Sequence, residues 1–193
     1  MNSRENWPAV TACLLAIAAA GAVPVGADPQ EISVEVRRTQ ERVVLYTIHR
    51  GPLDKVGAAI GEAIGAAAKK GAYPMGPISF AYLNNFETTP EEHWLTEIRI
   101  PVGEDALKLA GTLGKFTDIK KLPALDTAVA VKPEGLATPD SVYQRLYAWM
   151  FENGYMPTER PSEVFLTNAQ TGDYSKMRSE IMIPVRKMSP PQG

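Results

Sequence analysis

Apolar and polar residues alternate along much of this chain, in a pattern that predicts β-strands with two helices between them. From Ser33 to His49 the apolar positions recur at every second residue, as in a strand with one buried face, and the pattern is interrupted near Thr39-Gln40. A helical spacing of apolar residues follows, and Gly71 ends it. The elements predicted for the first half are a strand over Ser33–His49, a helix over Leu53–Lys70, and strands near Ile78–Leu83 and His93–Pro101.

The second half repeats the order of the first. Thr96–Val102 (TEIRIPV) recurs as Ser179–Val185 (SEIMIPV), 83 positions further on, and Gly71 falls on Gly154 at the same offset. The elements predicted for the second half are a strand over Ile119–Val131, a helix over about Pro139–Asn153, and strands near Val164–Thr167 and Met177–Pro184. The sequence therefore predicts an α+β fold of duplicated βαββ units, with antiparallel sheets, helices on one face and a central groove. Repeat 1 spans about 32–103 and repeat 2 about 115–187.

The first segment has the pattern of a secretory signal peptide. Arg4 supplies the positive charge, Ala9–Val23 is almost wholly apolar, and Pro24 precedes small residues up to Ala27. We expect cleavage after Ala27, a domain over 28–188, a disordered tail over 189–193 and a periplasmic or secreted location. The alternative is an uncleaved N-terminal anchor.

Composition excludes several classes of function. The net charge is -2, without the basic excess that nucleic-acid binding needs, so we predict no nucleic-acid partner, and contact with a membrane only during export. The single cysteine lies in the leader, so the mature chain has no disulfide. With two histidines and no glycine-rich phosphate loop or nucleophile elbow, we predict no metal site and no cofactor.

The last strand of each half provides the candidate site. If Ile98 and Ile100 face the helices, Glu97 and Arg99 point to the opposite face, and the repeat places Glu180 and Met182 likewise. We expect Phe80, Tyr82 and Phe165 on that same face. Carboxylates among aromatic rings would suit a cationic, flat or amphipathic ligand. The alternative is that Glu97 and Arg99 form a solvated ion pair and the rings cap the sheet edge. The predicted ligand-binding residues are Glu180, Glu97, Tyr82, Phe80, Phe165, Trp94, Met182 and Arg99.

Three glycines in the first predicted helix also call for an explanation. Gly57, Gly61 and Gly65 lie on one stripe, and each costs about 1 kcal/mol relative to alanine in a helix. We predict that another backbone or a large side chain packs closely against this stripe.

Several segments together resemble the gyrase-inhibitor-like small-molecule-binding family, also known as the bacterial effector-binding domain. They are Arg50-Gly51-Pro52, Gly71, Tyr82 before Asn84-Asn85, Thr88–Glu92 and Thr96–Val102. The resemblance runs from about Ile32 to Lys187. It implies duplicated βαββ (SHS2-like) units around a ligand groove that often binds cationic or aromatic compounds. It also implies an acidic residue on the last strand at the bottom of the pocket, matched here by Glu180, with Glu97 as its repeat mate.

Some members of that family resemble hydrolases of reactive, cyclopropane-bearing toxins, which makes Glu180 and Glu97 candidate catalytic residues. This chain departs from the family pattern where Pro133-Glu134-Gly135 replaces a Gly-Pro and where Phe165 replaces a groove tyrosine. Losing that hydroxyl removes a proton donor, so binding is favoured over catalysis. The alternatives are a hydrolase and a protein-interaction module that binds no small molecule.

Overall fold

Nine strands and two α-helices make up the part of the chain that the computed structural model describes, which is residues 32–133, 139–166 and 177–188. The strands are β1 (Val34–Arg38), β2 (Arg42–Arg50), β3 (Ser79–Tyr82), β4 (Leu95–Pro101), β5 (Thr117–Leu122), β6 (Asp126–Lys132), β7 (Tyr155–Pro157), β8 (Ser162–Phe165) and β9 (Ser179–Lys187). The helices are α1 (Val56–Ala68) and α2 (Asp140–Glu152), and short 3-10 turns lie at Leu53–Lys55, Glu91–His93 and Glu104–Leu109.

All strand pairs in the sheet are antiparallel. The order is β1-β6-β9-β8-β3-β4-β2-β5, and β7 pairs with the end of β9. The predicted α+β class with an antiparallel sheet is confirmed.

The predicted interruption at Thr39-Gln40 is also present, and it marks a crossing of the chain. Before it, β1 pairs with β6, whereas after it β2 pairs with β4 and β5. The segment between β5 and β6 leads back from the side of the sheet that holds β2 to the side that holds β1, and it is hydrogen-bonded to the Thr39-Gln40 segment. The Thr39 amide donates to the Leu125 carbonyl at 2.8 Å, and the Leu125 amide donates to Thr39 Oγ1 at 2.9 Å.

Paired strands define two faces of the sheet, because residues directly opposite each other in a ladder point the same way. Ile98, Phe80, Glu163 and Ile181 form one row, and we call their side the helix face. The neighbouring row is Glu97, Ala81, Ser162 and Met182, and we call that side the far face.

Both helices bury their apolar stripes on the helix face. On α1 the buried residues are Val56, Ile60, Ala63 and Ala67, which pack with Phe80 and the strand residues around it. On α2 the buried residues are Val142, Leu146 and Met150, which pack with Ala128, Ala130, Ile181 and Ile183. Gly71 has a φ of 86°, a left-handed value that favours glycine, and it ends α1 where the sequence predicts.

The predicted close packing of the glycine stripe is wrong. Gly57, Gly61 and Gly65 are exposed on α1, and a methyl group added at any of them would meet nothing within 4 Å. The stripe lies about opposite the buried one, so nothing approaches it. The structure gives no packing reason for these glycines.

The predicted orientation of β3 and β8 is also wrong. Phe80 and Tyr82 were expected to point away from the helices, as was Phe165. In the structure Phe80 lies opposite Ile98 and packs in the core beneath α1, and Phe165 joins the same core. The residues that point to the far face are Ala81 and Val164.

Some predictions concern residues outside the described ranges. They are the signal peptide over 1–27, the departure at Glu134-Gly135 and the tail over 189–193. Within the described residues, no helix is long and apolar enough to cross a membrane.

Candidate functional site

A buried carboxylate lies at the middle of the sheet, where β8 meets β3. Glu163 of β8 is on the helix face and is 5% exposed. The Tyr82 hydroxyl donates to its Oε2 at 2.6 Å, and the Ser179 hydroxyl donates to its Oε1 at 2.5 Å. Both donors are neutral hydroxyls. The carboxylate is therefore hydrogen-bonded on each oxygen without being neutralised.

Within the described residues, Glu163 forms no ion pair with a lysine, arginine or histidine. Burying an unpaired charge costs several kcal/mol unless a partner compensates for it.

Two tyrosines are close enough to Glu163 for its charge to affect them. Burial raises the pKa of Tyr82 well above its usual value, and the charge of Glu163 raises it further. The pKa of Tyr143, on α2, is raised for the same two reasons. The Tyr143 hydroxyl is buried and has no hydrogen-bond partner in the structure. It is a donor available for a group bound beside Glu163.

Aromatic rings continue outward from Glu163. Tyr82 meets Phe86 edge to face with ring centroids 5.0 Å apart, and Phe86 stacks on Trp94 at 4.3 Å. The Trp94 indole N–H donates to the Thr89 carbonyl at 2.9 Å, which fixes the ring. On the core side, Phe80 and Phe165 contact each other edge to face at 4.7 Å. Of the predicted site residues, Phe80, Tyr82 and Phe165 lie on the helix face, and Trp94 is linked to Tyr82 through Phe86, which the sequence did not predict.

The other four predicted residues lie on the far face. Glu97 accepts hydrogen bonds from Arg99 Nε at 2.6 Å and from Lys120 Nζ at 2.7 and 2.8 Å. Burial raises the pKa of Glu97, but the bonds from Lys120 and Arg99 outweigh burial and lower the pKa overall. Lys120 also lies 4.5 Å from the centre of the Tyr46 ring. Glu97 is thus the anion of a built ion-pair cluster.

Glu180 is held differently. Its carboxylate forms an ion pair with Arg37 of β1, with both terminal guanidinium nitrogens donating. Two strands, β8 and β3, separate Glu180 from Glu97, so their backbones are about 14 Å apart at the usual strand spacing. Met182 packs with Val129 and Val164. The structure therefore does not bring the two predicted carboxylates together.

Sequence reasoning missed Glu163 and Tyr143 as site residues. Glu163 was expected to point away from the helices, so its burial was not foreseen. Nothing in the sequence of β8 shows that all four of its residues are buried, so no signal in the sequence marks Glu163 as a site residue.

No protein-family model matches this chain, and no curated protein matches it in sequence. Solved structures do match it. The crystal structure of the EcmrR C-terminal domain has a TM-score of 0.63 at 17% identity, covering 82% of this chain and 100% of that one. EcmrR in its complex with DNA has a TM-score of 0.63 at 19% identity, and the match covers 81% of this chain but only 58% of EcmrR.

A third match is the crystal structure of a hydrolase from Listeria innocua, with a TM-score of 0.59 at 12% identity, covering 79% of this chain and 91% of that one. At these identities the matches establish the fold and nothing more. The chain has the same fold as the C-terminal domain of EcmrR, and this is consistent with the gyrase-inhibitor-like fold that the sequence predicts.

Proposed function

We propose that this protein binds a small aromatic cation at Glu163 and belongs to the gyrase-inhibitor-like, effector-binding family. The observation that carries the proposal is the buried Glu163 carboxylate with two hydroxyl donors and no cationic partner among the described residues. A cationic ligand would supply the missing charge. A neutral ligand of the same shape would leave that charge unpaired.

The surroundings of Glu163 support an aromatic ligand. Tyr82, Phe86 and Trp94 form a continuous series of rings, and aromatic faces attract cations. Tyr143 offers a hydroxyl without a partner. Sharing a fold with the EcmrR C-terminal domain is compatible with membership of the family, and the sequence resemblance covers nearly all of the described residues.

The test compares two probes that differ mainly in charge. 1-Methylquinolinium is a flat cation, and quinoline is its neutral analogue at about pH 8. Calorimetric titration of the full chain should show saturable binding of 1-methylquinolinium and much weaker binding of quinoline. Equal affinities for the two probes would contradict the proposal.

Glu163→Gln keeps the shape of the side chain and an oxygen that can accept a hydrogen bond. We expect it to weaken 1-methylquinolinium binding on the order of tenfold or more, because it removes the negative charge that attracts the ligand cation, an interaction of about 2 kcal/mol in a partly buried site. The matched control is Glu180→Gln, which removes a carboxylate on the far face. If Glu180→Gln abolished binding and Glu163→Gln did not, the site predicted from the sequence would be correct and the one proposed here wrong.

We also infer that the chain is exported. The support is the sequence pattern of residues 1–27, a charged start followed by an apolar run and small residues before Asp28. Expression in a bacterial host and intact-mass measurement should give a product that begins at Asp28. A product that retains residues 1–27 would favour the anchor alternative.

Hydrolysis is the second candidate, because the unpartnered Tyr143 hydroxyl could donate a hydrogen bond to an oxyanion that forms beside Glu163. One protein with a similar fold is named a hydrolase. If the protein is a hydrolase, the unmodified chain should convert an electrophilic, cyclopropane-bearing compound to a hydrolysed product, and Glu163→Gln should form no such product. A protein-interaction module would give no thermal shift with any small probe.

A further inference from the structure

A small recess of about 50 Å³ lies on the far face of the sheet, between β2 and β9 and beneath the segment that joins β5 to β6. Its lining includes three arginines, Arg42, Arg99 and Arg160, and three hydroxyl residues, Thr39, Thr127 and Ser162. One acidic residue, Glu159, also lines it, and Glu159 and Arg160 are exposed. The recess is therefore basic, although the whole chain carries a net charge of -2.

Arg42 lacks a counter-charge. No hydrogen bond or ion pair joins its guanidinium to any residue that the structure describes, although the side chain is partly buried. The charge that acts on its guanidinium is that of another cation, Arg99. Burial and the charge of Arg99 both lower the pKa of Arg42. An anion placed between the two guanidinium groups would relieve this repulsion.

Further donors point to the same space. Arg99 uses its Nε to bond Glu97, which leaves its two terminal nitrogens available. The Ser162 hydroxyl is not hydrogen-bonded to any described residue, and Ser162 is buried. Guanidinium groups with a nearby hydroxyl are the donors that carboxylate and phosphate groups prefer.

The acidic residues nearby do not neutralise the recess. Glu97 is already shared between Arg99 and Lys120, and Glu180 is paired with Arg37. Glu159 also lines the recess, but it forms no ion pair with the neighbouring Arg160, and both side chains are exposed to solvent. The floor of the recess therefore keeps the charge of Arg42 unopposed.

A second, larger cavity adjoins the recess. It has a volume of about 670 Å³ and shares Arg99, Glu159 and Arg160 with the recess. Its other walls are largely apolar and include Leu83 and, from α2, Tyr147, so this cavity is not confined to the far face. A volume of this size can hold a drug-sized molecule, whereas the recess holds only a small group.

We propose a second binding site, for an organic anion whose carboxylate or phosphate group lies on the far face between Arg42 and Arg99 and whose apolar body fills the adjoining cavity. The site is separate from Glu163, which lies on the helix face. It does not depend on the function proposed above.

The test uses 2-naphthoate as the anionic probe and 2-naphthamide as its neutral analogue. Calorimetric titration of the full chain should show tighter binding of 2-naphthoate, and raising the salt concentration should weaken it. Saturating 1-methylquinolinium should leave the 2-naphthoate titration unchanged. Competition between the two probes, or equal affinities for 2-naphthoate and 2-naphthamide, would overturn the proposal. Each probe is titrated alone as well, so failure at one site is distinguishable from failure at the other.

Substitution of Arg42 locates the site. Arg42→Gln should weaken 2-naphthoate binding on the order of tenfold or more, and Arg42→Lys should weaken it less, because it keeps the charge but loses the planar pair of donors. Arg38→Gln is the matched control, since Arg38 is exposed and paired with Asp126 outside the recess. Without a ligand, Arg42→Gln should unfold at the same temperature as the unmodified chain or higher. Loss of stability together with unchanged 2-naphthoate affinity would assign Arg42 a structural role and overturn the proposal.

Discussion

Glu97→Gln tests whether Glu97 is a structural ion-pair residue rather than a ligand-binding carboxylate. The substitution removes the negative charge that Arg99 and Lys120 share and leaves those two cations facing each other. The amide oxygen of glutamine can still accept one hydrogen bond, but its NH2 group is placed against a cation. The perturbation is thus electrostatic and nearly isosteric.

The size of the effect follows from the contacts of Glu97. Its side chain is 9% exposed, and it accepts hydrogen bonds from two cations. A hydrogen bond to a charged group contributes about 1.5–3 kcal/mol, and solvent screens the share of Lys120, which is 34% exposed. We expect Glu97→Gln to lower the free energy of unfolding by about 2–3 kcal/mol at neutral pH.

This difference should depend on pH. Because the pKa of Glu97 in the fold lies below its ordinary value of 4.5, folding is stabilised by this group at all pH values above 4.5. As the pH falls through the lowered pKa, the carboxylate is protonated and its contribution is lost. The unmodified chain and Glu97→Gln should therefore differ by the same amount between about pH 5 and pH 8 and converge in more acidic solution.

Urea denaturation followed by tryptophan fluorescence measures both quantities. Glu41→Gln is the control, because Glu41 pairs with Lys121 in full contact with solvent and should change stability little. Two results would refute the assignment of Glu97 as a buried ion-pair residue. One is that Glu97→Gln destabilises the chain no more than Glu41→Gln does. The other is that the destabilisation by Glu97→Gln stays the same in acidic solution.

Three further predictions use the same urea assay. Phe80→Ala should cost about 3–5 kcal/mol, because Phe80 is fully buried between α1 and the sheet and contacts Phe165; a small loss would contradict its place in the core. Gly57→Ala should stabilise the chain by about 0.5–1 kcal/mol, because the added methyl group meets nothing within 4 Å; destabilisation would show that something does pack on α1 there. Tyr82→Phe should cost about 1–3 kcal/mol, because it removes one of two donors to the buried Glu163, and an unchanged free energy of unfolding would mean that this bond contributes nothing.

The helices, and the strands with one buried face, could be predicted because their apolar residues recur periodically. On α1 the buried positions 56, 60, 63 and 67 recur at helical spacing, and the apolar residues at every second position of β2 predict a strand, although Val43, Val44 and Leu45 are all buried. In β3 the first three residues are buried, and in β8 all four are buried. The pattern of apolar residues therefore does not show which side chains of these strands point toward the helices. Only the register of β3 against β4, with Phe80 opposite Ile98, sets the orientation. That register is a property of the tertiary structure, and the local sequence pattern does not show it.

Long-range pairing limited the prediction of the site in the same way. Glu97 and Glu180 were identified correctly as lying on the face away from the helices. Their partners were not, because Lys120 is on β5 and Arg37 reaches Glu180 only through the crossing of β1 to β6. Glu163 could not be recognised as a site residue for the same reason, since its donor Tyr82 is 81 positions away in the chain.

The two proposed sites follow from one constraint of a β-sheet. Glu163 forms no ion pair with a described cation, Arg42 forms none with a described anion, and the two cannot neutralise each other because their side chains project from opposite sides of the sheet. Each charge must then find its counter-charge in solvent or in a ligand, and in a partly dry site a ligand of the right sign gains most. The sheet that prevents internal pairing therefore keeps two charges of opposite sign available for binding at the same time.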